Sequence, residues 1–82
     1  MFEGTIKKMD LANRSAIVTG EDGKEISIQF TERVNVEIGE EETAGWMGGE
    51  LEDVEEGFIV ELDLSSQKED GSFMCDSVVC IS

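Results

Sequence analysis

Ser15-Ala16-Ile17-Val18-Thr19-Gly20-Glu21-Asp22-Gly23-Lys24-Glu25-Ile26-Ser27-Ile28-Gln29-Phe30 places two β-forming runs on either side of a glycine-framed turn. In the second run Ile26, Ile28 and Phe30 alternate with Glu25, Ser27 and Gln29. That period of two sends one set of side chains to a core and the other to water, the pattern of a half-buried strand. Asp22-Gly23 between the runs is a hairpin signal, and the four-residue Gly20–Gly23 loop suits a bulged turn.

Working outward, Phe2 to Asp10 reads as a strand with Phe2, Gly4, Ile6 and Lys8 on one side. Phe58 to Leu64 reads as another, with Phe58, Val60, Leu62 and Leu64 set against Ile59, Glu61 and Asp63. A polar stretch ending in Asp70-Gly71 supplies a second turn. Ser72 to Ile81 forms the last strand, but its apolar residues fall on both parities: Phe73, Cys75, Val79 and Ile81 on one, Met74, Val78 and Cys80 on the other. A bulge or burial on both sides is expected there. Between Thr31 and Gly57, Val34, Val36 and Ile38 alternate as a short strand. Glu40-Glu41-Glu42 and Gly45, Gly48 and Gly49 then read as an acidic loop, with a short helix over 51–56 as an alternative. Five or six short strands with turn signals, no long helix and no internal repeat describe one all-β domain over residues 1–82, a small barrel or sandwich.

The chain has 82 residues, 39% of them apolar, and a formal net charge of −14. Residues 1–39 carry seven acids and five bases, a net −2; residues 40–82 carry thirteen acids and Lys68 alone, a net −12. Such a second half repels nucleic acid at long range and suits a partner protein with a basic surface. A halophilic host would account for the acid load without any partner. No stretch approaches the roughly 20 apolar residues of a membrane span, and Met1-Phe2-Glu3-Gly4 does not open a signal peptide. Cys75 and Cys80, on one regular strand, would lie on opposite faces about 16 Å apart at ~3.3 Å per residue. A disulfide needs Cα atoms within roughly 7 Å, so reduced cysteines and a cytoplasmic location are expected.

There is no histidine, which removes histidine bases, histidine metal ligands and Ser-His nucleophiles. Two cysteines alone make a poor zinc site, and Cys75 has no visible activating base. Glu40-Glu41-Glu42 and Glu50, Glu52 and Asp53 lack the ligand spacing of a calcium loop. The chain is therefore expected to be no enzyme and to hold no cofactor or metal. Trp46 and Met47 stand between Gly45 and Gly48-Gly49. They are candidate partner-binding anchors, since Trp is enriched in interface hot spots, although Trp46 could instead plug an open end of a barrel.

Several segments resemble one family. Phe2-Glu3-Gly4-Thr5-Ile6-Lys7-Lys8-Met9-Asp10 is similar to the opening strand of bacterial cold-shock proteins. Arg14-Ser15-Ala16-Ile17-Val18 and Ile26-Ser27-Ile28-Gln29-Phe30 fall where that family has its two ribonucleoprotein motifs, and Val54 to Leu62 resembles its fourth strand. The resemblance implies a five-stranded antiparallel OB-fold barrel, with the acidic loop between strands three and four. It also implies binding of single-stranded nucleic acid through aromatic side chains on a basic face. The family's stacking positions are here Lys8, Ser15, Ile17, Ser27 and Gln29, and only Phe30 is aromatic at a contact position. Stacking contributes roughly 1–3 kcal/mol per base, so the expected function is non-catalytic binding of a protein or other cationic partner through the acidic half. Weak binding of single-stranded RNA or DNA across Lys7, Lys8, Arg14 and Phe30 is the alternative. Nothing in the sequence demands self-association, and a monomer is assumed.

Overall fold

Six strands follow one another: β1 (Phe2–Asp10), β2 (Ser15–Gly20), β3 (Glu25–Glu40), β4 (Gly45–Gly49), β5 (Ile59–Gln67) and β6 (Phe73–Cys80). A single 3-10 turn, Leu51–Asp53, precedes β5. The computed structural model describes the backbone of residues 1–40 and 45–81, and their side chains except those of Glu40 and residues 45–47. Five strands form a closed ring in which β1 pairs with β2 and β5, β3 with β2 and β6, and β5 with β6. The sixth, β4, stands outside the ring and pairs with residues 36–40 of β3.

The ring is mixed, not antiparallel: β3 and β6 run parallel, and every other pair is antiparallel. The cause is parity. Each antiparallel neighbour reverses strand direction, and five reversals do not restore the starting direction. An odd ring therefore needs at least one parallel pair. The stretch expected as loop between the third and fourth barrel strands also differs in part. Val34, Val36 and Ile38 belong to β3 itself, a sixteen-residue strand, and residues 45–49 form β4. The expected short helix shrinks to the 3-10 turn. Glu41–Ala44 lie outside the described residues.

The two turns read from sequence are built alike. Gly20-Glu21-Asp22-Gly23 and Lys68-Glu69-Asp70-Gly71 each close with the glycine N–H donating to the carbonyl three residues back, at 3.0 Å in both. Gly23 and Gly71 have φ of 83° and 91°, the left-handed region that favours glycine. An aspartate oxygen then accepts the next backbone N–H but one: Asp22 from Lys24 at 3.0 Å, Asp70 from Ser72 at 2.9 Å. The Ser72 hydroxyl adds a 2.6 Å bond to Asp70.

The core is wholly apolar, with Ile6, Val18, Ile28, Val60, Leu62 and Val78 all at 1% exposure or less and no polar or charged residue buried among the described residues. The β5 alternation holds as expected, Val60 and Leu62 facing in and Ile59 out. In β1 the alternation changes phase. Ile6 pairs with Val18 but Lys8 with Ile17, so Lys7 is an extra residue. That bulge turns Lys7 and Lys8 both to solvent and brings Met9 against the core. Lys8 thus does not share the face of Phe2, Gly4 and Ile6. A second bulge, expected from the mixed parity of the last strand, makes Asp76 the extra residue between Cys75 and Ser77. Through it Cys75 and Cys80 both face the core, at 0% and 3% exposure, instead of opposite sides. They remain free thiols.

At Gly4, β1 lies close against β2. A Cβ placed on Gly4 would lie 2.5 Å from the Thr19 carbonyl oxygen and 2.8 Å from Val18 Cγ1. Gly4→Ala is expected to destabilise the protein by about 1–3 kcal/mol, as overpacking does, measured as a lowered urea midpoint; an unchanged midpoint would contradict this packing. The hydrogen bonds from Ser72 hold the Asp70 carboxyl below its ordinary value of 3.8. A depressed acid contributes stability above its unfolded pKa and loses it as pH falls through the folded one. The Asp70 carboxyl signal in NMR should therefore titrate below 3.8 with the Ser72 amide shift following it, and titration at or above 3.8 would rule out the turn's hydrogen bonds in solution.

Candidate functional site

The outer surface of β1, β2 and β3 gathers the positions that the cold-shock resemblance marks for contact. Register partners put Lys8 beside Ile17 and Ile17 beside Ser27, while Ser15 sits between Asp10 and Gln29. Lys8, Asp10, Ser15, Ala16, Ile17 and Ser27 line a shallow depression on this face. The surface is therefore assembled, but without aromatic groups among the described residues. The phenylalanines of these strands, Phe2 and Phe30, both pack inward.

Of the four residues expected to hold a nucleic-acid strand, the structure keeps two on this face. Lys7 is exposed and forms an ion pair with Glu25, the only one among the described residues. Lys8 is exposed. Phe30 is 2% exposed and belongs to the core, so it offers no stacking surface. Strand alternation explains why: the parity that turns Ile26 and Ile28 inward carries on to position 30, which pairs with the buried Cys75 of β6.

Arg14 is not a free cation on the face either. It sits at the end of the β1–β2 connection with φ at 51°, an unusual value for a side chain other than glycine. Its Nη2 donates to the Thr31 carbonyl at 2.6 Å, and its own carbonyl accepts from the Phe30 N–H at 2.8 Å and from Gln29 Nε2 at 2.9 Å. These bonds over-determine the strained backbone, so Arg14 ties the first hairpin to the bend of β3. The connection is closed on its other side by Asp10, which accepts from Asn13 Nδ2 at 2.7 Å. That bond is the main cause of the lowered Asp10 pKa.

The acidic half is laid out on the surface. Glu50, Glu52, Asp53, Glu55, Glu56 and Asp63 are all exposed. Asp53 Oδ2 accepts the Glu50 N–H at 2.8 Å, which caps the 3-10 turn, and Glu56 Oε2 accepts the Met9 N–H at 3.2 Å. None of these acids has a cationic side-chain partner among the described residues. Nor do the described residues group three or more possible metal ligands.

Trp46 and Met47, the expected partner anchors, are placed by backbone alone: they pair with Gly39 and Ile38 in β4. The choice between exposed anchor and barrel plug falls on side chains outside the described ones. What sequence reading missed is β4 itself. Glycines and a single alternation of side chains carried no strand signal, and only the uncharged run Gly45–Gly49 between acidic flanks distinguishes it. No helix of the chain is long and apolar enough to cross a membrane among the described residues. No family model, curated protein or solved structure matches this chain.

Burial pushes the Cys75 thiol up to about 11, with a backbone hydrogen bond at Ser77 acting the other way, and burial raises Cys80 too. Both thiols should stay neutral and unreactive near neutral pH. Modification by an aromatic disulfide reagent should run at least about a hundredfold slower in the native protein than in urea; comparable rates would show that the thiols are open to solvent.

Proposed function

We propose that the chain is a diverged OB-type barrel of the cold-shock kind, non-catalytic, that binds the basic surface of a partner protein through its acidic half. The strand order supports the fold reading: β1-β2-β3 form a meander, β5 returns to β1, and β6 closes on β3 in parallel. The single observation that carries the functional reading is the outer face of β1–β3, where no described aromatic side chain points to solvent. Each stacked base contributes roughly 1–3 kcal/mol in such modules, and here that contribution is gone. Charge acts in the same direction. Phosphates must be neutralised for binding, whereas Lys7 is held by Glu25, Arg14 by Thr31, and the net charge is −14.

The exposed carboxylates of residues 50–63 do the opposite work. Exposed, and without a cationic partner among the described residues, they attract a cationic surface from a distance and speed its encounter. Their rim position makes them contributors to rate and orientation, and the affinity should fall as salt rises. Backbone amide shifts of the labelled protein test this reading. Oligo-dT and oligo-U should give no saturable shift at low salt, and oligolysine should give salt-sensitive shifts in residues 50–63. Saturable, salt-sensitive shifts confined to residues 6–30 on adding an oligonucleotide would overturn it in favour of single-strand binding through Lys7 and Lys8.

A further inference from the structure

Among the described residues, β4 is the strand paired along one edge only. Closing the ring pairs β1, β2, β3, β5 and β6 on both sides, at least over part of their length; β4 pairs with β3 alone, and no described strand lies on its other side. In any antiparallel pair, alternate residues turn their N–H and C=O groups away from the partner. Alternate groups of β4 therefore face outward. Edges of this kind are normally guarded by lysine, proline, a bulge or a covering segment. Gly45-Trp46-Met47-Gly48-Gly49 carries no charge and no proline, and its register with β3 runs without a bulge from residue 45 to residue 49.

Gly48 adds a second, independent observation. Nothing among the described residues requires a glycine there. Its φ is not in the left-handed region, and a Cβ built on it would meet no described atom within 4 Å. Glycine inside a strand weakens it, and often marks a place where another backbone or ligand approaches closely. The register pairs Gly48 with Glu37. Directly paired residues share one face of the sheet, so among the described residues no side chain at Gly48 stands between the β4 edge and the Glu37 side chain. An added strand would lie about 10 Å from β3, two spacings of ~4.8 Å. Lysine or arginine reaching inward and glutamate reaching outward span that distance.

Charge decides the occupant. Glu40-Glu41-Glu42 precede β4, and Glu50, Glu52 and Asp53 follow it. A second copy paired antiparallel would set the acidic approach of one β4 beside the acidic exit of the other, and a parallel copy would set like beside like. At a net −14 per chain, self-pairing is opposed and a basic segment is favoured. We propose that β4 is a docking edge, to which an extended basic segment of a partner protein adds as a further strand, with a lysine or arginine crossing Gly48 to meet Glu37. This rests on the cationic-partner reading and gives it a binding mode, strand addition, in which main-chain hydrogen bonds supply affinity and alternate side chains supply selectivity.

The probe is a short peptide of alternating lysine and valine, with a control of identical charge whose alternate amides are N-methylated and cannot pair. Hydrogen exchange and amide shifts of the intact labelled protein are read with each. The plain peptide should slow the outward-facing, alternate amides of β4 at least about tenfold, and the N-methylated control should bind at least about tenfold more weakly. Glu37→Gln should weaken the plain peptide about two- to fivefold, the range of an exposed ion pair. Gly48→Val, whose Cβ meets no described atom within 4 Å, should weaken it by a similar factor by closing the lane to Glu37, at an unchanged urea midpoint. Equal binding of plain and N-methylated peptides, with shifts spread over residues 50–63 and no β4 amide slowed, would overturn strand addition while leaving the cationic-partner reading in place. Binding of neither peptide, nor of oligolysine, would overturn both.

Discussion

An odd number of strands closed into a ring must contain a parallel pair, and the β3–β6 pairing that meets this demand organises the whole chain. Antiparallel neighbours can be joined by turns of a few residues; a parallel pair needs a crossover of a dozen residues or more. Here the crossover runs from the end of β3 at Glu40 to the start of β6 at Phe73 and carries β4, the 3-10 turn and β5. Most of the acid load lies on this stretch. The topology thus separates a nearly neutral meander, β1–β3, from a strongly acidic return. The charge asymmetry between the halves of the sequence becomes an asymmetry between parts of the barrel's surface.

Closure also explains the length and bend of β3. Its first part pairs with β2 and β6, its second with β6 and β4, and its register with β6 jumps between Phe30 and Asn35. Arg14 sits against that jump, with its guanidinium on the Thr31 carbonyl and its backbone on Phe30. A residue that looks from sequence like a surface cation on a binding strand is held at the joint where one strand passes between two neighbours. The bulges at Lys7 and Asp76 belong to the same accommodation, since extra residues bend and twist strands into a closed surface.

The hairpins were legible in the sequence because their causes are local: Glu-Asp-Gly in each turn, an aspartate bonding two residues on, a glycine in the left-handed region. The inward sets Ile26, Ile28, Phe30 and Val60, Leu62 followed from a period of two and nothing more. Strand direction was within reach as well, since counting five strands already excludes an all-antiparallel ring. The bulges were less accessible. Lys7 shifts the phase of β1 without any glycine or proline to announce it, so that Lys8 and Met9 exchange sides relative to simple alternation. The Asp76 bulge left a trace in the mixed parity of β6, but its consequence, both cysteines in one core, depends on where the extra residue sits. β4 was hidden because glycine contributes no side-chain pattern; its strand character comes from pairing with Val36 to Glu40.

Phe30 shows how far a family pattern can carry functional residues onto a chain. The same alternation that makes it a strand residue assigns it to the core, while the positions that face outward, Lys8, Ser15, Ile17, Ser27 and Gln29, have no aromatic among them. A scaffold can keep its closure, its turns and its inward residues while its outward residues change freely, because only the former are coupled to folding. The core of this barrel contains no buried charge among the described residues, so the acids on its return strands act on the fold only through screened, long-range repulsion. That weak coupling leaves the outward residues of such a barrel free to vary while packing and closure hold the inward ones.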